Sequence, residues 1–198
     1  MDLPPNTTNQ LRAFVAIRLS AESERALAGL IDELRAPGDG ISWARRANLH
    51  LTLRFLGAAV DSRLIPPLID KLEAVAKETT PFAVTAKGIG AFPDLARPRV
   101  IWAGLDGAEL LALASRVEKA AVASGFEPER RPFSPHLTIG RVRDLRRWAP
   151  LQRRLAAARE RDFDRSTIAA MTLYESRLSS GGAIHRAIAE FRFAAQKR

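Results

Sequence analysis

Two short stretches of this chain share one pattern, His50-Leu51-Thr52-Leu53 and His136-Leu137-Thr138-Ile139. Side chains alternate faces along an extended strand. His50 and Thr52 therefore share one face while Leu51 and Leu53 take the other; His136 and Thr138 repeat this against Leu137 and Ile139. Two such strands can bury their apolar faces in separate lobes and turn their polar faces toward one cleft. An imidazole titrates near pH 6.5, so at neutral pH one of a pair can act as base and the other as acid. Phosphodiester hydrolysis uses both roles: a base takes the proton of the attacking water and an acid supplies one to the departing alkoxide. The hydroxyls of Thr52 and Thr138 can donate to the non-bridging phosphate oxygens, where charge must be held.

The chain has only three histidines. A histidine followed by this pattern arises by chance about once in a hundred, so two of three is not accidental. One copy alone reads more readily as a half-exposed polar strand face; the repetition points to chemistry. Neither tetrad has a carboxylate or second histidine at ligand spacing, and there is no cysteine, so no metal or other cofactor is expected. The third histidine, His185, reads as a hairpin residue near the surface, with lining of the cleft as the lesser alternative. Arg54 lies two beyond Thr52, and straight alternation keeps it on the His50 face as a candidate phosphate contact. Arg141 has the wrong parity for an unbroken strand from His136, but Gly140 could mark a bulge that re-aims it into the substrate-binding set. Phe14, Phe55, Trp102, Phe133 and Tyr174 read as core rather than as base-stacking platforms.

The elements that must position these residues can be read in outline. Arg12–Leu19 is rich in β-branched and aromatic residues and reads as a strand. Ser20 can cap a helix carrying Leu27, Leu30, Ile31 and Leu34 at helical spacing, stopped by Pro37-Gly38. The first tetrad strand spans about 48–56. A helix follows between Asp61 and Glu78, its first turn complicated by Pro66 and Pro67. Strands are expected over 82–89 and 99–104. Asp106-Gly-Ala-Glu109 resembles a capping box for a helix running to Gly125. The second tetrad strand reaches Arg143, a short helix covers about 150–160, and two strands, 167–178 and 183–193, join at a hairpin over 179–182. Strands and helices mix without a strict βαβ rhythm, so the fold class is α+β with antiparallel sheets, as one bilobal domain over 1–198.

The 198 residues are enough for such a domain, and 46% hydrophobic residues exclude a disordered chain. Met1–Gln10 carries no apolar stretch of a secretory signal, and no run is long enough to span a bilayer. With no cysteine, a reducing cytoplasm is the simplest setting, and a monomer the default. The 31 basic against 22 acidic residues leave a formal charge of +9, which favours a polyanionic partner such as nucleic acid, although a GC-rich genome also enriches arginine.

These tetrads and their flanks resemble the two-histidine (2H) phosphoesterases, and within them the LigT-like RNA 2',3'-cyclic phosphodiesterases, also called the 2'-5' RNA ligase family. The matching stretches are Phe14–Ile17, Asn48–Gly57, Gly90–Pro93, Arg97–Trp102, Gly125–Val142 and Leu173–Ala183. Ser180 departs from the family, which often has proline there. The resemblance implies two pseudo-symmetric lobes, each an antiparallel sheet with packed helices, around a central cleft. It implies hydrolysis of the terminal 2',3'-cyclic phosphate of RNA to a 2'-phosphomonoester, with His50 matching the proton donor and His136 the acceptor. The nearly identical tetrads could not by themselves order those roles. It also implies possible 2'-5' joining of RNA ends, the reverse of the same chemistry. Two rival readings are a 2H esterase for small cyclic nucleotide esters and a non-catalytic RNA-end-binding module; intact histidines in both tetrads weigh against the latter.

Overall fold

In the computed structural model, which describes residues 10–179 and 182–195, the elements run β1 (Gln10–Ile17), α1 (Ala21–Leu34), β2 (Ile41–Trp43), β3 (Leu51–Asp61), α2 (Ile65–Lys77), β4 (Phe82–Phe92), β5 (Val100–Asp106), α3 (Glu109–Ala123), β6 (His136–Val142), α4 (Trp148–Ala157), β7 (Asp162–Ile168), β8 (Ala170–Ser179) and β9 (Gly182–Arg192). Local chemistry accounts for most boundaries. The Ser20 side chain accepts the Ser23 N–H at the start of α1. Proline occupies the first turn of α2, where a backbone N–H has no helical partner to lose. A short 3-10 turn over Ser62–Leu64 delivers the chain to it.

One expectation changes, and two strands were not anticipated. The capping box at Asp106 does not form: Asp106 pairs with Thr85 as the last residue of β5, and Ala108 enters α3 without a side-chain cap. β2 has three residues, too few to show a period. β7 is an edge strand on β4, and its Asp- and Arg-rich outer face conceals the alternation. The expected hairpin joins β8 to β9, with Ser179 paired to Gly182, while Ser180 and Gly181 lie outside the described residues.

All strand pairings are antiparallel, and the order is β7-β4-β5-β6-β3-β1-β8-β9, with β2 added on β6. The two expected halves are therefore parts of one sheet. They join at its centre through the single pairing of Leu51 with Leu137. The helices exchange halves. α1 follows β1 yet packs on β7 at the far edge, and α3 follows β5 yet packs on β3. Leu27, Leu51, Leu68, Leu110 and Leu137 belong to one continuous buried cluster. Among the described residues no helix is long and apolar enough to cross a membrane.

Candidate active site

The pairing of Leu51 with Leu137 sets the two tetrads side by side in opposite directions, and both leucines are fully buried against the helix layer. Period-two alternation then puts His50, Thr52, His136 and Thr138 together on the open face. Extending the antiparallel register places His50 opposite Thr138 and Thr52 opposite His136. The imidazoles occupy a diagonal, where side chains stand roughly 7–8 Å apart.

A bulge falls on the fourth residue of each tetrad. In β3, Thr52 pairs with Ala16 and Arg54 with Val15, so Leu53 is the extra residue. Val15 lies in the core, so Arg54 points with it into the helix layer, and the open face resumes at Phe55, opposite Phe14. Arg54 is thus not brought to the histidines. It is 9% exposed, its Nε 2.5 Å from Glu118 of α3 and its Nη1 3.6 Å from Glu129, and it also donates to the Phe55 and Glu127 carbonyls. In β6, Thr138 pairs with Trp102 and Gly140 with Ile101, so Ile139 is extra and Gly140 turns inward. Gly140 fits because β2 covers it: a Cβ there would fall 2.9 Å from Ile41 and 3.1 Å from Trp43. The next residue, Arg141, returns to the open face opposite Val100. The inward position after the tetrad is Arg54 in one half and Gly140 in the other; the outward one is Phe55 and Arg141.

Both imidazoles are fixed in the same way. Nδ1 of His50 lies 2.7 Å from the Asn48 carbonyl, and Nδ1 of His136 lies 2.7 Å from the Ser134 carbonyl. A carbonyl only accepts, so Nδ1 carries the proton and Nε2 is left to take or give one in the cleft. The His50 ring stacks on Phe14 at 4.8 Å and meets His185 edge-on at 5.2 Å. His185, expected near the surface, is therefore part of this site. Tyr174 also stacks on Phe14, at 5.3 Å, and Phe92 meets His136 edge-on at 5.0 Å. Phe14 is buried as expected yet packs on His50, and Tyr174 meets Phe14 and His185; Trp102 packs on Phe92 beside His136, Phe55 lies opposite Phe14 on the same face, and Phe133 packs partly buried on the core. Register could have revealed this, because each aromatic shares the face of a tetrad histidine; local periodicity could not.

Trp102 lies across Gly90 of β4. A Cβ on Gly90 would fall 2.8 Å from the ring Cε2 and nearer still to Cζ2 and Cη2. Gly90→Ala is therefore expected to lift the indole off the sheet at a cost of about 1–3 kcal/mol. Chemical denaturation with tryptophan emission measures this; an unchanged midpoint and spectrum would show that the ring has room.

Burial, opposed by the Asn48 hydrogen bond and reinforced by His185, Arg18 and Arg141, lowers the His50 pKa to about 4. Burial first, then Arg141, also lowers that of His136. Burial, then Arg12 and Arg143, pulls Arg141 down too. Unfolded His50 would take a proton near pH 6.5 while the folded form resists until about pH 4, so stability falls as pH drops through that window. The loss is about 3 kcal/mol. Urea denaturation from pH 7 to 4 should show it, reduced in His50→Phe; NMR titration of His50 near pH 6.5 would contradict it.

The LigT like Phosphoesterase family matches residues 17–102 and 106–185. A curated RNA 2',3'-cyclic phosphodiesterase of Aquifex aeolicus (strain VF5) is 35% identical over 184 residues, covering 91% of this chain and 96% of the relative. The same-named protein of Thermotoga maritima is 31% identical over 187 residues, covering 92% and 96%. Among solved structures, a Thermus thermophilus protein aligns with a TM-score of 0.78 at 24% identity, over 94% of this chain and 100% of that one. E. coli LigT complexed with NADP+ aligns with a TM-score of 0.72 at 25% identity, over 93% and 98%. With its two tetrads joined across the centre of the sheet and matches along nearly its whole length, this chain belongs to the LigT-like phosphoesterase family.

Proposed function

We propose that the chain hydrolyses the terminal 2',3'-cyclic phosphate of RNA to a 2'-phosphomonoester. The observation that carries this reading is the paired array: two imidazoles on one face, each with Nδ1 tied to a carbonyl two residues upstream and Nε2 free. Nε2 of His136 takes a proton from water, whose oxygen attacks phosphorus. The bond from phosphorus to the 3' oxygen breaks, and Nε2–H of His50 protonates that oxygen, leaving a free 3' hydroxyl. Thr52 and Thr138 donate to the non-bridging oxygens, and Arg141 offsets their charge. The order of the two histidines rests on the family resemblance. The relatives named as RNA 2',3'-cyclic phosphodiesterases support the substrate class.

In the unliganded protein burial keeps His50 neutral at pH 7, so the acid gains its proton as the anion arrives. A phosphodiester placed among these cations and imidazoles favours the charged ring and offsets the burial that opposed it. With the 5' hydroxyl of a second RNA in place of water, the same displacement would form a bond from its oxygen to phosphorus, break the bond to the 3' oxygen, and leave a 2'-5' linkage with a free 3' hydroxyl. The deciding experiment is incubation with an oligonucleotide ending in a 2',3'-cyclic phosphate, in excess EDTA, followed by ³¹P NMR. A 2'-phosphate signal is expected; a 3'-phosphate product or no turnover would refute the assignment.

A further inference from the structure

Beyond Leu51 and Leu137 the two halves of the sheet part, and β3 runs on to Asp61 paired only with β1. Along its freed edge lies a cavity of about 690 Å³. One wall is the outer part of β3 with Phe55 and Val60; the other is the segment from Gly125 to Arg131, the chain that leads into His136. The space is within the range that accommodates a nucleotide-sized ligand. Its inner end is Phe55, on the face shared with Thr52, and the Arg12 guanidinium lies 4.5 Å above that ring. Its rim carries Arg130 and Arg131.

The charges of this cavity are unevenly answered. Glu129 is held between Arg54 at 3.6 Å and Arg131 at 3.5 Å, and Asp61 is paired with Arg63. Glu127 contributes its carbonyl to Arg54 and leaves one carboxylate on the lining. Among the described residues Arg12, Arg130 and Arg141 enter no ion pair. Arg12 stacks on Phe55 at the inner end of the cavity, and its charge also bears on Arg141 and His185, so it stands between the cavity and the histidine face. Phe55 stands where the other half has Arg141, and Arg12, stacked upon it, restores a cation to that side. A guanidinium held flat on an aromatic ring keeps its edge free for a phosphate.

We propose that this cavity is the subsite for the nucleotide preceding the terminal one, with Arg12 on the phosphate between the two and Phe55 beneath it. The proposal rests on the RNA-end reading above. It makes the chain a selector of oligonucleotides over mononucleotides, since only the former carries an internal phosphate for Arg12.

The test compares kcat/KM on a cyclic mononucleotide and on a dinucleotide and tetranucleotide ending in a 2',3'-cyclic phosphate. The wild type should gain about tenfold or more from mononucleotide to dinucleotide, as one charged contact supplies. Arg12→Gln should cut that ratio to a small remainder, and the gain should weaken with salt. Arg130→Gln, on the rim, should act mainly on the tetranucleotide. Circular dichroism establishes that both variants are folded. No gain in the wild type, or a gain retained in Arg12→Gln, overturns the subsite. Fluorescence anisotropy of a labelled dinucleotide 2'-phosphate separates the two readings: Arg12-dependent binding that exceeds the mononucleotide's, without turnover of any substrate, keeps the subsite and fails the hydrolysis.

Discussion

Replacing His50 or His136 by alanine should lower kcat/KM on a cyclic-phosphate-ended oligonucleotide by roughly 10²–10⁴ in each case. The double variant should fall little further, because an acid and a base that act in one step fail together. The prediction depends on geometry more than on residue type. Each ring has Nδ1 hydrogen-bonded to a local carbonyl, which leaves Nε2 free on the open face. His136 and His50 should differ in their acid sensitivity, because His50 is packed against Phe14 and His185, whereas His136 has only the edge of Phe92 as a ring contact among the described residues. The check is steady-state kinetics over pH 4–8 with folding followed by circular dichroism. Activity retained in both single variants would remove the acid-base pair from the mechanism.

Arg54→Ala should act through stability instead. It removes one side of the pair with Glu118 and the donors to the Glu127 and Phe55 carbonyls. Breaking a buried ion pair by deleting one partner costs about 3–5 kcal/mol, and the partial exposure of Glu118 places this case near 3. For a domain of this size that is a Tm lower by roughly 6–12 °C. Arg54→Met with Glu118→Leu should recover much of it, since no charge is then left without its partner. Differential scanning calorimetry on the three proteins decides the matter. A raised KM with an unchanged Tm in Arg54→Ala would return this arginine to the phosphate.

The contrast between Arg54 and Arg141 shows what strand periodicity can and cannot tell. Alternation was enough to bring His50, Thr52, His136 and Thr138 to one face, because the first three residues of each tetrad precede the bulge. It failed at Arg54 because a bulge inserts a residue without requiring a special side chain; Leu53 looks like any strand leucine. The same insertion beside Gly140 was legible, since glycine there made a break in parity plausible. His185 was out of reach for another reason. It approaches His50 through the pairing of β8 with both β1 and β9, which joins segments far apart in the chain. The strand-rich antiparallel class was readable from composition and order, whereas β2 and β7 were hidden by brevity and by charge.

The exchange of α1 and α3 between the halves bears on how the chain reaches this state. β1 can acquire its partner β8, and β8 its partner β9, only after the far end of the chain is present, while β3 waits for β6 and α1 needs β7. Native contacts thus span most of the sequence, a topology of high contact order that closes long loops before it gains from them. Folding should be slow for the chain's size and should proceed as one cooperative transition, with neither half melting ahead of the other. A chain cut between α3 and β6 should yield two fragments that are unstructured apart and regain the sheet only when mixed.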